Sequence, residues 1–123
     1  MRRRGFTLIE LLVVMAIIAL LLSIAVPRYY GSLDKSKEVV LKENLFQLRD
    51  AIGKYHADKG RYPESLESLA ADKYLRKVPL DPITDSTATW VVLPPADPQK
   101  SGVYDVKSGA PGKAIDGTEY SQW

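Results

Sequence analysis

FTLIELLVVMAIIALLLSIAV, residues 6–26, decides how the chain is built. Within it residues 11–22, LLVVMAIIALLL, form an unbroken apolar run. As a helix, residues 6–26 would span roughly 31 Å at about 1.5 Å each, close to the hydrocarbon thickness of a bilayer. A secretory signal peptide is the plainer alternative, with Arg2, Arg3 and Arg4 as its basic region. The apolar stretch exceeds the roughly 7–15 residues usual for such peptides, no A-x-A-like cleavage site follows it, and it contains a carboxylate. A single span preceded by arginines keeps its N-terminus cytoplasmic and places everything after Pro27 across the membrane.

That carboxylate is Glu10, the only charged residue between Phe6 and Val26. A charge inside an apolar helix costs at least about 2.5 kcal/mol and normally has a partner. Arg28 lies far along the helix, and Arg4 would be lost on cleavage after Gly5. Such a cut creates a new α-amino group on Phe6, and the amine of a neighbouring copy would neutralise Glu10 in apolar surroundings.

The string Gly5-Phe6-Thr7-Leu8-Ile9-Glu10-Leu11 resembles the class III signal of type IV pilins and type II secretion pseudopilins. The resemblance implies cleavage between Gly5 and Phe6 by a prepilin peptidase, N-methylation of Phe6, and an assembly role for Glu10. It also implies partial melting of the helix upstream of Pro27 on assembly, which maps to residues 23–27.

Downstream, Pro27 is either a kink or the end of the span, since an interior proline costs about 3 kcal/mol. Residues 34–58 contain no proline and a single glycine, Gly53. Leu41, Leu45, Leu48, Ile52 and Tyr55 fall at spacings of 4, 3, 4 and 3, an apolar stripe expected to dock on a sheet, with Phe46 beside it. Glu38 and Lys42 are placed for an i, i+4 pair off that stripe. Gly60 is expected to end the helix, with Lys59 in its last turn. A helix running from Phe6 to Lys59 would extend roughly 80 Å.

Residues 64–71 predict a short helix with Leu66, Leu69 and Ala70 inward. Residues 78–82 form a proline-punctuated connector. Residues 90–93 and 103–106 predict strands, and residues 120–123 a third, edge strand. The pieces Gly60-Arg61-Tyr62-Pro63, Leu80-Asp81-Pro82, Tyr104-Asp105-Val106 and Trp123, in that order, resemble the G-type major pseudopilins. The expected fold is therefore pilin-like α+β: a long N-terminal helix, half transmembrane and half amphipathic, on a small antiparallel sheet. The expected division is a cleaved leader at 1–5, a transmembrane and polymerisation helix at 6–27, and a periplasmic domain at 28–123.

Composition excludes much else. The chain has 123 residues, no cysteine and one histidine, His56, so disulfide scaffolds, thiol catalysis and multi-His metal sites cannot be built. The net charge of +2 rests on Arg2, Arg3 and Arg4, without which the basic count falls from 17 to 14 against 15 acidic residues. No nucleic-acid partner is expected. His56 reads as a surface or packing residue. Asp81, Asp85 and Asp97 read as turn residues, and Trp90, Tyr104 and Trp123 as core. No enzymatic activity is expected.

G-type pseudopilins bind Ca²⁺ in the loop before the C-terminal tryptophan, and the resemblance implies Asp116 and Glu119 as the ligands if calcium binds here. This chain departs from the family at Gly109-Ala110-Pro111-Gly112, where proline replaces an expected acidic ligand and the loop is short. The alternative is a metal-free loop stiffened by Pro111. The implied assembly is a homopolymer at the inner membrane, growing into the periplasm with minor pseudopilins, a prepilin peptidase and an inner-membrane platform protein. A type IV pilin or minor pilin, or a membrane-tethered binding domain, are the other readings. Paired C-terminal cysteines, common in type IV pilins, are absent.

Overall fold

The computed structural model describes residues 5–123, apart from the side chain of Tyr30. The Arg2, Arg3 and Arg4 leader lies outside the described residues. Two units are distinguished, one ending at Asp34 and one formed by Lys35–Trp123. A single helix, α1 (Leu8–Lys59), supplies most of the first and the spine of the second.

In the first unit α1 passes through Pro27 without a break, so the proline does not end the helix. Pro27 has no N–H for the Ser23 carbonyl one turn earlier. The Ser23 hydroxyl donates to the Leu20 carbonyl at 2.6 Å. Every residue from Gly5 to Tyr29 is exposed. Among the described residues, α1 is the one helix long and apolar enough to cross a membrane.

The second unit is organised by the stripe. Leu41, Leu45, Leu48, Ile52 and Tyr55 are all at most 3% exposed, as their spacing predicts. Phe46, beside the stripe, is 64% exposed. The helix stops where Gly60 turns left-handed, at φ 68°, a conformation that glycine adopts without a Cβ penalty.

Helix α2 (Leu66–Ala71) begins at Ser65, whose Oγ accepts from the Ser68 N–H. It buries Leu66 and Leu69. The connector after it is tied to the rest by carbonyls: Leu80 accepts from Asn44 Nδ2 and Pro79 from Trp90 Nε1, both at 2.8 Å.

Strands β1 (Trp90–Leu93) and β2 (Asp105–Ser108) pair antiparallel, with Trp90 opposite Ser108 and Leu93 opposite Asp105. The second strand starts two residues later than its sequence pattern predicts. Val103 N–H bonds instead to the Pro63 carbonyl at 2.7 Å, outside the ladder. The expected third strand is also corrected. Tyr120–Gln122 is a 3₁₀ turn, with i→i+3 bonds from Gln122 to Glu119 and from Trp123 to Tyr120. Tyr104 is likewise not core: it is 53% exposed and meets the Tyr62 ring edge-on.

Candidate functional site

Two regions carry the residues singled out in the sequence, one at each end of the chain.

At the N-terminus, Thr7 and Glu10 form a capping box on the first turn of α1. The Glu10 N–H donates to Thr7 Oγ1 at 3.1 Å, and the Thr7 N–H donates back to Glu10 Oε2 at 3.4 Å. Each side chain satisfies a backbone donor that the helix leaves unpaired. The carboxylate also lies at the positive end of the helix dipole. Thr7 is thus a partner of Glu10 within the same chain, one that the T-x-x-E spacing signals. From Phe6 onward large apolar side chains stay uncovered, with Leu8 74%, Leu12 60%, Leu20 64% and Ile24 56% exposed. This apolar surface with a carboxylate at its tip suits burial in lipid or against other copies.

At the C-terminus, residues 113–123 fold back on themselves. The backbones of Lys113 and Glu119 form an isolated antiparallel β-bridge, and the Ala114 N–H donates to the Thr118 carbonyl at 2.7 Å. Asp116 Oδ1 accepts from both the N–H and the hydroxyl of Thr118, at 3.0 and 2.6 Å. These two bonds, with the nearby Lys42 ammonium, hold the Asp116 carboxyl below its ordinary range. Trp123 Nε1 donates to the same Thr118 oxygen at 2.8 Å. Asp116 and Glu119 share no cluster of three or more metal-ligating side chains among the described residues.

Three side chains of α1 reach this region. Glu38 is buried and its Oε1 accepts from the Ile115 N–H at 2.8 Å and the Tyr120 hydroxyl at 2.9 Å. The expected Glu38–Lys42 pair does not form, because the glutamate turns inward to the loop. Lys42 Nζ instead sits 4.6 Å from the centre of the Trp123 ring. Arg49 donates to Asp105 Oδ1 at 3.0 Å, to the Val106 carbonyl at 2.9 Å and to the Trp123 carbonyl. Neither Glu38 nor Arg49 has a local sequence signal for these partners.

The other candidates take structural places. His56 stacks on Tyr62 at 4.2 Å. Asp81 is fully buried and accepts from Ser108 Oγ at 2.6 Å and the Ile83 N–H at 2.9 Å, while the Asp85 N–H donates to the Asp81 carbonyl at 2.7 Å and closes the turn. Asp97 accepts from the Gln99 N–H in a second turn.

The prokaryotic N-terminal methylation motif matches residues 1–26. Over 89% of this chain, 30% of residues are identical to the type II secretion system core protein G of Escherichia coli, and the match covers 83% of that protein. The core protein G of Pectobacterium carotovorum is 32% identical over 66% of this chain, and the match spans 62% of its length. The type IV major pilin protein PilA of Myxococcus xanthus is 43% identical over 51% of this chain, which is 29% of that pilin. No solved structure gives a significant match.

Proposed function

Because this chain belongs to the family of type II secretion core protein G, we propose that it is a structural subunit of a periplasmic filament that drives protein export. The observation that carries this reading is the apolar half of α1, exposed throughout and bearing Glu10 as its lone charge, on a segment that matches the methylation motif. A prepilin peptidase cuts after Gly5, Phe6 becomes the methylated first residue, and the apolar helix holds the subunit in the inner membrane until assembly. In the filament, Glu10 pairs with the Phe6 amine of a neighbouring copy, and residues 23–27 loosen where Pro27 removes a helix bond. Minor pseudopilins and an inner-membrane platform protein complete the machine. The chain has no enzymatic role.

Mass spectrometry of filament protein tests the reading: the first residue is methylated Phe6. An intact Met1, or a cut after Ala25, in assembled material would overturn it. The similarity to the Myxococcus pilin favours a second reading, a type IV pilus subunit. Deleting the gene separates the two, since a pseudopilin mutant retains its exoproteins in the periplasm while a pilin mutant loses surface filaments.

A further inference from the structure

The loop that G-type pseudopilins fasten with Ca²⁺ is held differently in this chain. A calcium ion needs about six to eight oxygens at roughly 2.3–2.6 Å. Asp116 Oδ1 is already committed to the two Thr118 donors, and the proline at 111 removes a further acidic side chain. Lys42 lines the same surface cleft as Asp116, and its ammonium covers the Trp123 ring. Asp116 and Glu119 leave at most two acidic side chains for a dication, and no group of three or more metal-ligating side chains forms among the described residues. The residues do not fit a calcium site.

They do fit a clasp made by the helix. Glu38, Lys42 and Arg49 are spaced 4 and 7 apart, so they lie along one side of α1. Each engages a different part of residues 105–123. Glu38 takes the Ile115 N–H and the Tyr120 hydroxyl, Lys42 covers Trp123, and Arg49 joins β2 to the Trp123 carbonyl. Within the loop the donors run in one direction: Trp123 Nε1 to Thr118 Oγ1, and the Thr118 hydroxyl to Asp116. Asp116 Oδ1 is thus filled from within the loop.

We propose that Glu38, Lys42 and Arg49 replace the bound cation of related subunits, so that the C-terminal loop of this protein is closed without calcium. The Thr118 hydroxyl and N–H take the Asp116 oxygen from within the loop, and Lys42 holds Trp123 from the helix side. The clasp belongs to the folded domain and stands whichever filament the chain builds.

The test uses the full chain in detergent micelles. Its melting temperature is measured after EDTA treatment and again with Ca²⁺ raised to about 10 mM, above the roughly 0.1–1 mM dissociation constants of weak extracellular sites. The expected result is the same melting temperature in both conditions and no heat in a calorimetric titration with CaCl₂. Lys42→Met keeps the stem but removes the charge, and is expected to lower the melting temperature by several degrees, equally with and without calcium. Asp116→Asn gives the same pattern. A calcium-dependent rise in the wild-type melting temperature that Asp116→Asn abolishes would overturn the proposal, and the wild-type titration needs no variant to fold. An unchanged melting temperature in Lys42→Met would overturn the clasp itself.

Discussion

Thr7 and Glu10 satisfy each other's backbone: the Glu10 N–H reaches Thr7 Oγ1 at 3.1 Å, while the longer return bond runs from the Thr7 N–H to Glu10 Oε2. The glutamate therefore has a use before any second copy arrives. It closes the first turn of α1 and offsets the helix dipole in an apolar setting. The proposed cleavage after Gly5 would leave both residues in place and add a positive amine one residue before Thr7. The proposed pairing of Glu10 with a neighbour's amine would exchange a long local bond for a charge-assisted one and so favour assembly.

Replacing Thr7 by Val keeps the side-chain shape but removes the cap. Loss of an N-cap typically costs about 0.5–2 kcal/mol of helix stability. Hydrogen exchange of the single subunit in micelles is expected to speed up at the amides of residues 8–11 and nowhere else. Thr7→Ser, which keeps the oxygen, restores protection. Uniform protection across wild type and both variants would mean that the cap does not form in lipid.

Glu10→Leu removes a charge from the apolar segment, so membrane insertion of the single subunit is not impaired. Filament formation is expected to fail, because on the proposed pairing the neighbour's Phe6 amine would be left unpaired in apolar surroundings. Unpairing one member of a buried ion pair typically costs about 3–5 kcal/mol. Electron microscopy of cells overproducing the variant alone gives the answer, and normal filaments would refute the pairing.

Leu45 and Leu48, 2% and 0% exposed, sit at the centre of the stripe. Truncation of either to Ala is expected to destabilise the second unit by about 2–5 kcal/mol, read as a lowered thermal midpoint. Phe46→Ala, by contrast, is expected to leave the midpoint of the single subunit nearly unchanged, since that ring is 64% exposed.

These contrasts show what local sequence encodes. The stripe was legible because a helix repeats every 3.6 residues and the buried positions are its own neighbours. Gly60, Leu66 and Leu69 were legible for similarly local reasons, as was the β1 run. The start of β2 was not, because Val103 gives its N–H to Pro63, 40 positions earlier. Nor was the orientation of Glu38, whose partners Ile115 and Tyr120 lie 77 and 82 positions away. The i, i+4 pair with Lys42 is worth only a few tenths of a kcal/mol, so two hydrogen bonds to a buried carboxylate outweigh it.

The Tyr74 hydroxyl donates to Asp58 at 2.7 Å, and this bond, with burial and the Asp58 charge, raises its pKa above the ordinary 10.0. A group whose pKa is raised on folding stabilises the fold fully below its unfolded value. That contribution is lost as pH rises through the folded value. The thermal midpoint is therefore expected to fall from about pH 10 upward in wild type. Tyr74→Phe flattens this alkaline limb without changing its acid limb. An identical pH profile in the variant would mean the bond is not maintained in solution.

Arg49 is the last test, because it joins three acceptors from two parts of the chain. Its guanidinium meets a side-chain carboxylate at Asp105 and main-chain oxygens at Val106 and Trp123. The Arg49 and Asp105 side chains are 39% and 33% exposed, so the ionic part of the contact is screened and contributes roughly 0–1 kcal/mol. The carbonyl bonds depend instead on the planar fork, which a lysine ammonium does not reproduce. Arg49→Lys is therefore expected to lower the thermal midpoint even though the charge is retained. The loss should persist in about 1 M salt, where the Debye length is about 3 Å. Asp105→Asn is expected to have a smaller effect that fades as salt is added. If instead Arg49→Lys matches wild type at every salt concentration, the guanidinium acts only as a charge, and its bonds to Val106 and Trp123 do not hold the C-terminus on α1.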